Sequence, residues 1–394
     1  MLPTQTFIPS VLRSQFQAPP RHDSQAMSLP FGATMFTPLE SSLGGLMIGA
    51  SASLAYLVDG RITGISGIMG PFLRGVGQCE PMKDGQLWKL FFLTGLLLGG
   101  LVNLANWEFS YPPAPPLHAA RYLLAGISVG IGTRIGKGCT SGHGICGLPR
   151  FSLRSWISVP TFMAVAAATV AITRHALKSD GEYSPQIAEV QWPPRWEYPL
   201  ATFLGSLVLI ALCVLVPDRY RIYLSPFSSG LIFAFGLGVS GMTNPSKVMN
   251  FLDFGGYWDP SLAFVMGCGI CVSGPAFILA EQLGKVTKPL IEGCKFENPP
   301  KKGNYVPLVI GASFFGLGWG LCGLCPGPAL AALIPKIVTG VWHSWEPDFG
   351  MAAAALLIAI TWLVTDRVVV YLTTVTQKQG EASAETEKQI SGTV

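Results

Sequence analysis

Apolar residues run along this chain in long blocks, separated by shorter stretches rich in glycine, proline and charge. The blocks predict nine membrane helices, at approximately 41–58, 88–106, 119–136, 154–174, 198–216, 228–243, 260–282, 305–322 and 349–371. Ser155 to Thr173, Tyr198 to Val216, Pro260 to Ala280 and Tyr305 to Pro335 carry no charged residue at all. Each is long enough to cross a hydrocarbon core of about 30 Å at about 1.5 Å per residue. The last run is too long for one helix, and its Gly and Pro residues predict a crossing followed by a break. Met1 to about Thr37 is polar and rich in Pro, Ser and Gln, and the chain after Tyr371 is charged and rich in Ser, Thr and Glu. Both ends are expected to be mobile tails.

Two motifs occur twice. GIGTRIGKGCTSG from Gly130 sets against GLGWGLCGLCPGP from Gly316 without a gap, matching Cys139 with Cys325 at an offset of 186 residues. GISGIMGP from Gly64 sets against GVSGMTNP from Gly238, matching Ser66 with Ser240 and Pro71 with Pro245. The motifs fall after the first, third, sixth and eighth predicted helices, so each recurs five helices further on. Five is odd, and the second copy must therefore enter from the opposite membrane face. The expected fold is an all-α integral membrane protein of about nine transmembrane helices, with short re-entrant helices or loops and two inverted-topology pseudo-repeats. The predicted boundaries are a tail at 1–38, a first repeat at 39–197, a linking helix and loop at 198–227, a second repeat at 228–372 and a tail at 373–394. Because the glycine-rich connections are apolar, they are expected to dip in from both faces and meet near the middle.

Composition supports a membrane protein. With 394 residues, 12% charged, and a mean hydropathy of +0.44, the chain has too little polar surface to coat a soluble body of this size. A net charge of +4 without a clustered basic face gives no nucleic-acid partner. Nine cysteines without regular spacing make no disulfide framework and are read as thiols. Loop cations set the orientation. Arg61, Arg74, Lys83, Lys137, Arg150, Arg219, Arg221, Lys285, Lys288, Lys295, Lys301 and Lys302 lie on one side, and Arg174, Lys178, Arg195, Lys247 and Lys336 on the other. The first side is expected to be cytoplasmic, with the C-terminus there and the N-terminus outside, most simply in the cell membrane.

The candidate chemistry sits in Gly130 to Gly147, where seven of eighteen residues are glycine. Each glycine weakens a helix by about 1 kcal/mol relative to alanine, and lets backbone N–H groups approach a ligand. Arg134, Lys137, Cys139, Thr140, Ser141, Gly142 and His143 would surround one small anion, with backbone amides at the broken helix ends adding a nest for it. Intramembrane Arg134 and Lys137 need a compensating charge, which an anionic substrate would supply; the alternative for Lys137 is a side chain snorkelling to the headgroups. A thiol is a weak donor, better matched to a polarisable terminal sulfur than to a hard oxyanion. Cysteine, cation and amide nest together point to a sulfur-bearing anion. Cys213, Cys268 and Cys271 read as small core hydrophobes. Cys322 and Cys325 form a C-x-x-C that a thiol oxidoreductase or membrane sulfurtransferase would use. Cys139, His143 and Cys146 match no tetrahedral zinc spacing. Ser66, Ser240, Asn244 and Lys247 are either lining residues or, for the serines, close helix packing. No nucleotide-binding sequence, enzymatic constellation or cofactor motif is visible, which leaves transport passive or coupled to an ion gradient.

The stretch Gly132 to Ser152, with GISG at Gly64, Ser240 to Asp253, and CGLCPGPAL from Cys322, resembles the YeeE/YedE (sulfur transport domain) family over about residues 41 to 371. The resemblance implies an hourglass-shaped helical protein that takes up thiosulfate, relayed by S–H···S contacts with motif cysteines. A cytoplasmic sulfur-carrier protein is a candidate partner. Cys139 and Cys325 match two of those cysteines. A third, found in the first motif of some members, has no counterpart; GRITGISG offers Thr63 or Ser66. Transport of another small sulfur or selenium anion stays open at this point.

Overall fold

The computed structural model describes residues 34–77, 84–106, 110–112, 115, 117–177, 186–192, 194, 196–343 and 345–391. Most of the predicted N-terminal tail, and the loop cations Lys83, Lys178 and Arg195, lie outside the described residues. The described residues are mostly helical, with a two-residue parallel ladder joining Gln186–Ile187 to Tyr257–Trp258 and a bridge between Phe36 and Val190 as the strand pairings among them. Helix α1 (Pro38–Leu54) closes in a π-helical turn, Ala55–Asp59. It is followed by α2 (Ile65–Gly77), α3 (Asp84–Val102), α4 (Ala119–Ile135), a π-helical segment (Thr140–Gly147), α5 (Leu153–Ala171) and α6 (Glu197–Leu215). Next come α7 (Asp218–Val239), α8 (Pro245–Leu252), α9 (Ser261–Phe277), α10 (Tyr305–Cys322), α11 (Pro326–His343) and α12 (Trp345–Ser391).

Among the described residues, eight helices are long and apolar enough to cross a membrane, which makes this a multi-pass, all-α integral membrane protein. The expected ninth is α4, whose 17 residues include Arg121, Thr133 and Arg134. Its stability comes from packing against α10 and α12, not from length. Two further boundaries move. α7 starts at Asp218, not at 228, because its first turns are polar and invisible to an apolar window. Arg221 there reaches back to the Cys213, Val214 and Val216 carbonyls at 2.9, 2.8 and 2.6 Å, capping the end of α6. α12 continues as helix to Ser391, through the stretch expected to be a tail. The expected break after 322 is present: Gly323 takes φ +66, which a side chain disfavours, and α11 restarts at Pro326.

Helix contacts repeat between the halves. α3 lies against α7 and α9 against α1; α4 lies against α12 and α10 against α5; α1 meets α7, and α4 meets α10. Exchanging the first half for the second maps the first four of these pairings onto one another in twos and the last two onto themselves. Close approach depends on glycine. A Cβ at Gly95 would lie 2.1 Å from the Phe227 carbonyl oxygen, and one at Gly230 would lie 2.0 Å from that of Phe92. Both contacts are to backbone, which cannot swing aside. Gly230→Val is therefore expected to destabilise the protein by at least the roughly 1–3 kcal/mol of ordinary overpacking, read as a fall in the detergent melting temperature. An unchanged melting temperature would place α3 and α7 further apart than described.

A continuous core runs from Ile48 and Tyr56 of the α1 segment through Phe162, Phe233, Phe315 and Trp319 to Ile358. It includes Cys139, Cys146, Cys322 and Cys325. Cys213 belongs to a smaller cluster with Met47, Leu54, Val58 and Phe235, as its small-hydrophobe reading expects. Leu204, Leu207, Val208 and Leu215 of α6 stay exposed, on a face suited to lipid.

Candidate functional site

Each of the four motifs leads into a further helical segment: α2, Thr140–Gly147, α8 and α11. These segments touch in sequence. The Ile65 backbone N–H donates to Ser141 Oγ at 3.2 Å, and the Gly64 and Gly142 backbones face each other without side chains between them. Thr140 Oγ1 and Cys325 Sγ lie 3.0 Å apart, across the two halves. Beyond Cys325, the Gly323 turn sits against Pro245, where a Cβ would come within 2.4 Å of the Pro245 carbonyl oxygen. The glycines thus bring four separate backbone segments together inside the bundle.

Two cavities flank this junction. The inner one holds about 30 Å³ and is walled mainly by apolar side chains, with Thr140, Ser141 and Cys325 as its polar heads and Met242, Met266 and Gly327 opposite. It has room for little more than one water-sized body. Trp319 also lines it, buried at 1% exposure, and its indole Nε1 has no hydrogen-bond partner. The outer cavity holds about 560 Å³ and carries ionisable groups on its wall, among them Lys89, Lys137, His143, Arg150, Arg154 and Glu297. Ser66 lines it too, and its buried Oγ likewise lacks a partner. Trp88 lines it as well, and its buried Nε1 is also without a partner. Buried donors without acceptors are rare and costly, so three of them on residues lining the two cavities favour a ligand that accepts hydrogen bonds.

The predicted site residues divide into those at the cavities and those tied elsewhere. Cys139 is buried, with Sγ 3.2 Å from Ser141 Oγ, and lines neither cavity. Cys322 is fully buried at the end of α10, ahead of the Gly323 turn. Lys137 is exposed, at φ +56, on the outer cavity, and Gly142 lies there as well. His143 stands against Gly138, with Nε2 3.3 Å from the Gly136 carbonyl and Nδ1 3.1 Å from Ser155 Oγ. Since a carbonyl only accepts, Nε2 carries a proton. Asn244 caps α8 by accepting from the Ser246 N–H. Ser240 donates to the Leu237 carbonyl and packs where a Cβ on Gly44 would stand 2.5 Å away, which is the close-packing reading.

Two cations differ from expectation. Arg134 finds its compensating charge in Asp366 of α12, at 2.6 Å, with Trp362 stacked 5.6 Å from the guanidinium. Lys247 is buried and paired with Asp259 at 2.9 Å, and also donates to the Met35 carbonyl at 2.6 Å. Neither needs a substrate to offset its charge. Sequence reasoning also passed over Trp319. One signal was there: in the repeat alignment Trp319 stands opposite Thr133, a polar donor directly after the matched Gly132 and Gly318.

A model described as sulphur transport matches residues 6–169, and one for a family of unknown function (DUF6691) matches residues 222–365. A probable transporter of Xylella fastidiosa strain 9a5c is 46% identical over 107 residues, which is 27% of this chain and 70% of that protein. The chain belongs to the sulphur transport family. A second probable transporter, from Xylella fastidiosa strain Temecula1, is 40% identical over 129 residues, 32% of this chain and 88% of its own length. Both relatives are much shorter than this chain, and the two family matches fall on its separate halves.

In this member of the sulphur transport family, buried ion pairs fasten the short helices across the halves. Asp366 takes Arg74 of α2 as well as Arg134, while Arg174 binds Asp253 at 3.0 Å and Asn250 of α8 at 2.8 Å. Removing one partner of such a pair leaves an uncompensated charge, at about 3 kcal/mol or more. Asp366→Asn is accordingly expected to lower the melting temperature in detergent. A stability equal to wild type would mean that Arg74 and Arg134 find water or lipid headgroups instead.

Proposed function

We propose that the protein is a transporter that imports thiosulfate, or a closely similar small sulfur anion, and is not an enzyme. The observation that carries this reading is the inner cavity. There a thiol from the second half, Cys325, meets a hydroxyl from the first half, Thr140, beside the unpartnered Trp319 N–H. In this reading the segments that follow the motifs are re-entrant, the halves are inverted, the N-terminus is outside and the C-terminus is cytoplasmic, in the cell membrane. The exchange relation among helix pairings supports a pseudo-two-fold arrangement.

Lys137, Ser66 and His143 receive the anion in the wide cavity, and Thr140, Ser141, Cys325 and Trp319 contact it at the narrow one. The narrow cavity is smaller than a five-atom anion, so passage needs transient widening. Met242 and Met266 are unbranched and flexible enough to allow it. Several weak contacts suit conduction, whereas one tight site would hold the ion. The S–H of Cys325 is directed at the polarisable terminal sulfur, and a sulfur-carrier protein receives the anion on the cytoplasmic side. Growth on thiosulfate as sole sulfur source, in a host lacking its own importer, tests the reading. Failure to support growth by well-expressed, folded protein would reject it, and competition by sulfite or selenium analogues defines the selectivity.

A further inference from the structure

Charges buried inside this protein are mostly held in pairs: Arg134 with Asp366, Arg150 with Glu281, Arg174 with Asp253, Lys247 with Asp259. Asp59 departs from that pattern. It lies at the end of the first membrane span, only 5% exposed, and its Oδ2 accepts one hydrogen bond, from Ser225 Oγ of α7 at 2.9 Å. Among the described residues it makes no ion pair. Arg61, two residues on, is turned to Glu297 at 3.1 Å and lies over the Trp88 ring. The other titratable groups near Asp59 are the thiols of Cys213 from α6 and Cys294 from the loop after α9, with Asp218, Arg221 and Glu297 beyond them. α9 brings no charged residue to it. Arg61 is the cation whose charge reaches Asp59, without forming an ion pair with it, and a buried carboxylate at the end of a membrane helix with no ion-pair partner is a mark of a proton or ion pathway.

Its position connects it to the transport site. Asp59 closes the π-helical turn Ala55–Asp59, and π-turns inside helices recur at functional sites. Gly60 follows at φ +73 and redirects the chain, after which Ile62 and Gly64 line the wide cavity and Ile65 lines the narrow one. The loop after α9 is bonded to the same turn: the Leu290, Ile291 and Glu297 N–H groups donate to the Leu57, Val58 and Gly60 carbonyls at 2.9, 3.1 and 2.8 Å. Glu297 to Pro300 of that loop form another wall of the wide cavity. A change of charge at Asp59 therefore acts on two of the elements that shape the anion's path.

We propose that Asp59 is a proton-binding site through which anion uptake is coupled to proton movement. One proton forms an O–H bond with the carboxylate in the loaded state and leaves it on the cytoplasmic side; no other bond is made or broken. The inference rests on the transport reading above.

The test uses the full chain in sealed vesicles, with sodium absent and the membrane potential clamped at zero. An inward proton gradient is expected to drive labelled thiosulfate above its equilibrium level, and added thiosulfate to acidify the lumen, read by a trapped pH dye. Asp59→Asn is expected to lose accumulation above equilibrium yet still exchange labelled for unlabelled thiosulfate, because the neutral amide stands in for the protonated carboxyl. Ser225→Ala, which removes the one hydrogen bond, is expected to shift the pH of half-maximal uptake. Net thiosulfate uptake by wild type without lumen acidification would overturn the proposal, as would gradient-driven accumulation by Asp59→Asn. Should Asp59→Asn be inactive in both assays, an unshifted pH profile for Ser225→Ala overturns it. Absence of any wild-type exchange would instead remove the transport reading itself.

Discussion

Cys325→Ala is expected to reduce thiosulfate uptake to background while leaving folded protein in the membrane. The thiol sits on the wall of a cavity of about 30 Å³ with few polar heads, so its removal changes what a passing anion meets there. The structural cost is small by comparison. The contact with Thr140 Oγ1 at 3.0 Å is one hydrogen bond, worth about 1 kcal/mol, and alanine leaves only a small void. Cys325→Ser separates softness from hydrogen bonding, since it keeps a donor beside Thr140 but replaces sulfur with a hard oxygen. Uptake by the serine variant is expected to stay well below wild type. Wild-type uptake by the alanine variant would remove the thiol contact, and wild-type uptake by the serine variant alone would remove the argument from softness. Cys139→Ala is expected to show a partial loss, because Cys139 acts on the cavity only through Ser141, 3.2 Å away.

Gly327→Val tests the path by filling it. A Cβ at this position would find Ile65 Cγ1 at 3.3 Å, Phe233 Cε1 at 3.5 Å and Leu237 Cδ1 at 3.7 Å, contacts that small side-chain shifts can accommodate. The two further methyl groups then project into the narrow cavity. Gly327 lies in the first turn of α11, where replacing glycine by valine carries no helix penalty. Uptake is expected to fall to background at an unchanged or raised melting temperature, with Gly327→Ala intermediate. Normal transport by the valine variant would mean that the anion passes elsewhere. The contrast with Gly230→Val is deliberate: there a Cβ meets backbone and the fold itself is strained, whereas at Gly327 it meets side chains and an opening.

Most helices were legible because hydropathy is a local property. α3, α5, α6, α9 and α10 begin within a few residues of the apolar blocks that predict them. The start of α7 was not, since Asp218 and Arg221 make its first turns polar, and it is Arg221 that is held by the carbonyls at the end of a different helix. The matched cysteines were visible through the repeat offset, and so was the polar position occupied by Trp319, had the alignment been read for donors as well as glycines.

The sequence by itself determined that this chain enters a membrane, where its helices run, and that two similar halves each carry one glycine-framed cysteine. Those features depend on hydropathy, helix length and spacing along the chain, which neighbouring residues set. Only the tertiary structure decided that Asp366, 232 residues from Arg134, neutralises that cation, that Lys247 belongs to Asp259, and that Asp59 is left with a serine. It alone brought Thr140 to Cys325 and left the Trp319 N–H and the Ser66 hydroxyl without partners. Charge and hydrogen-bond partners are selected by packing between distant segments, and a linear pattern records what each residue can offer but not what it meets.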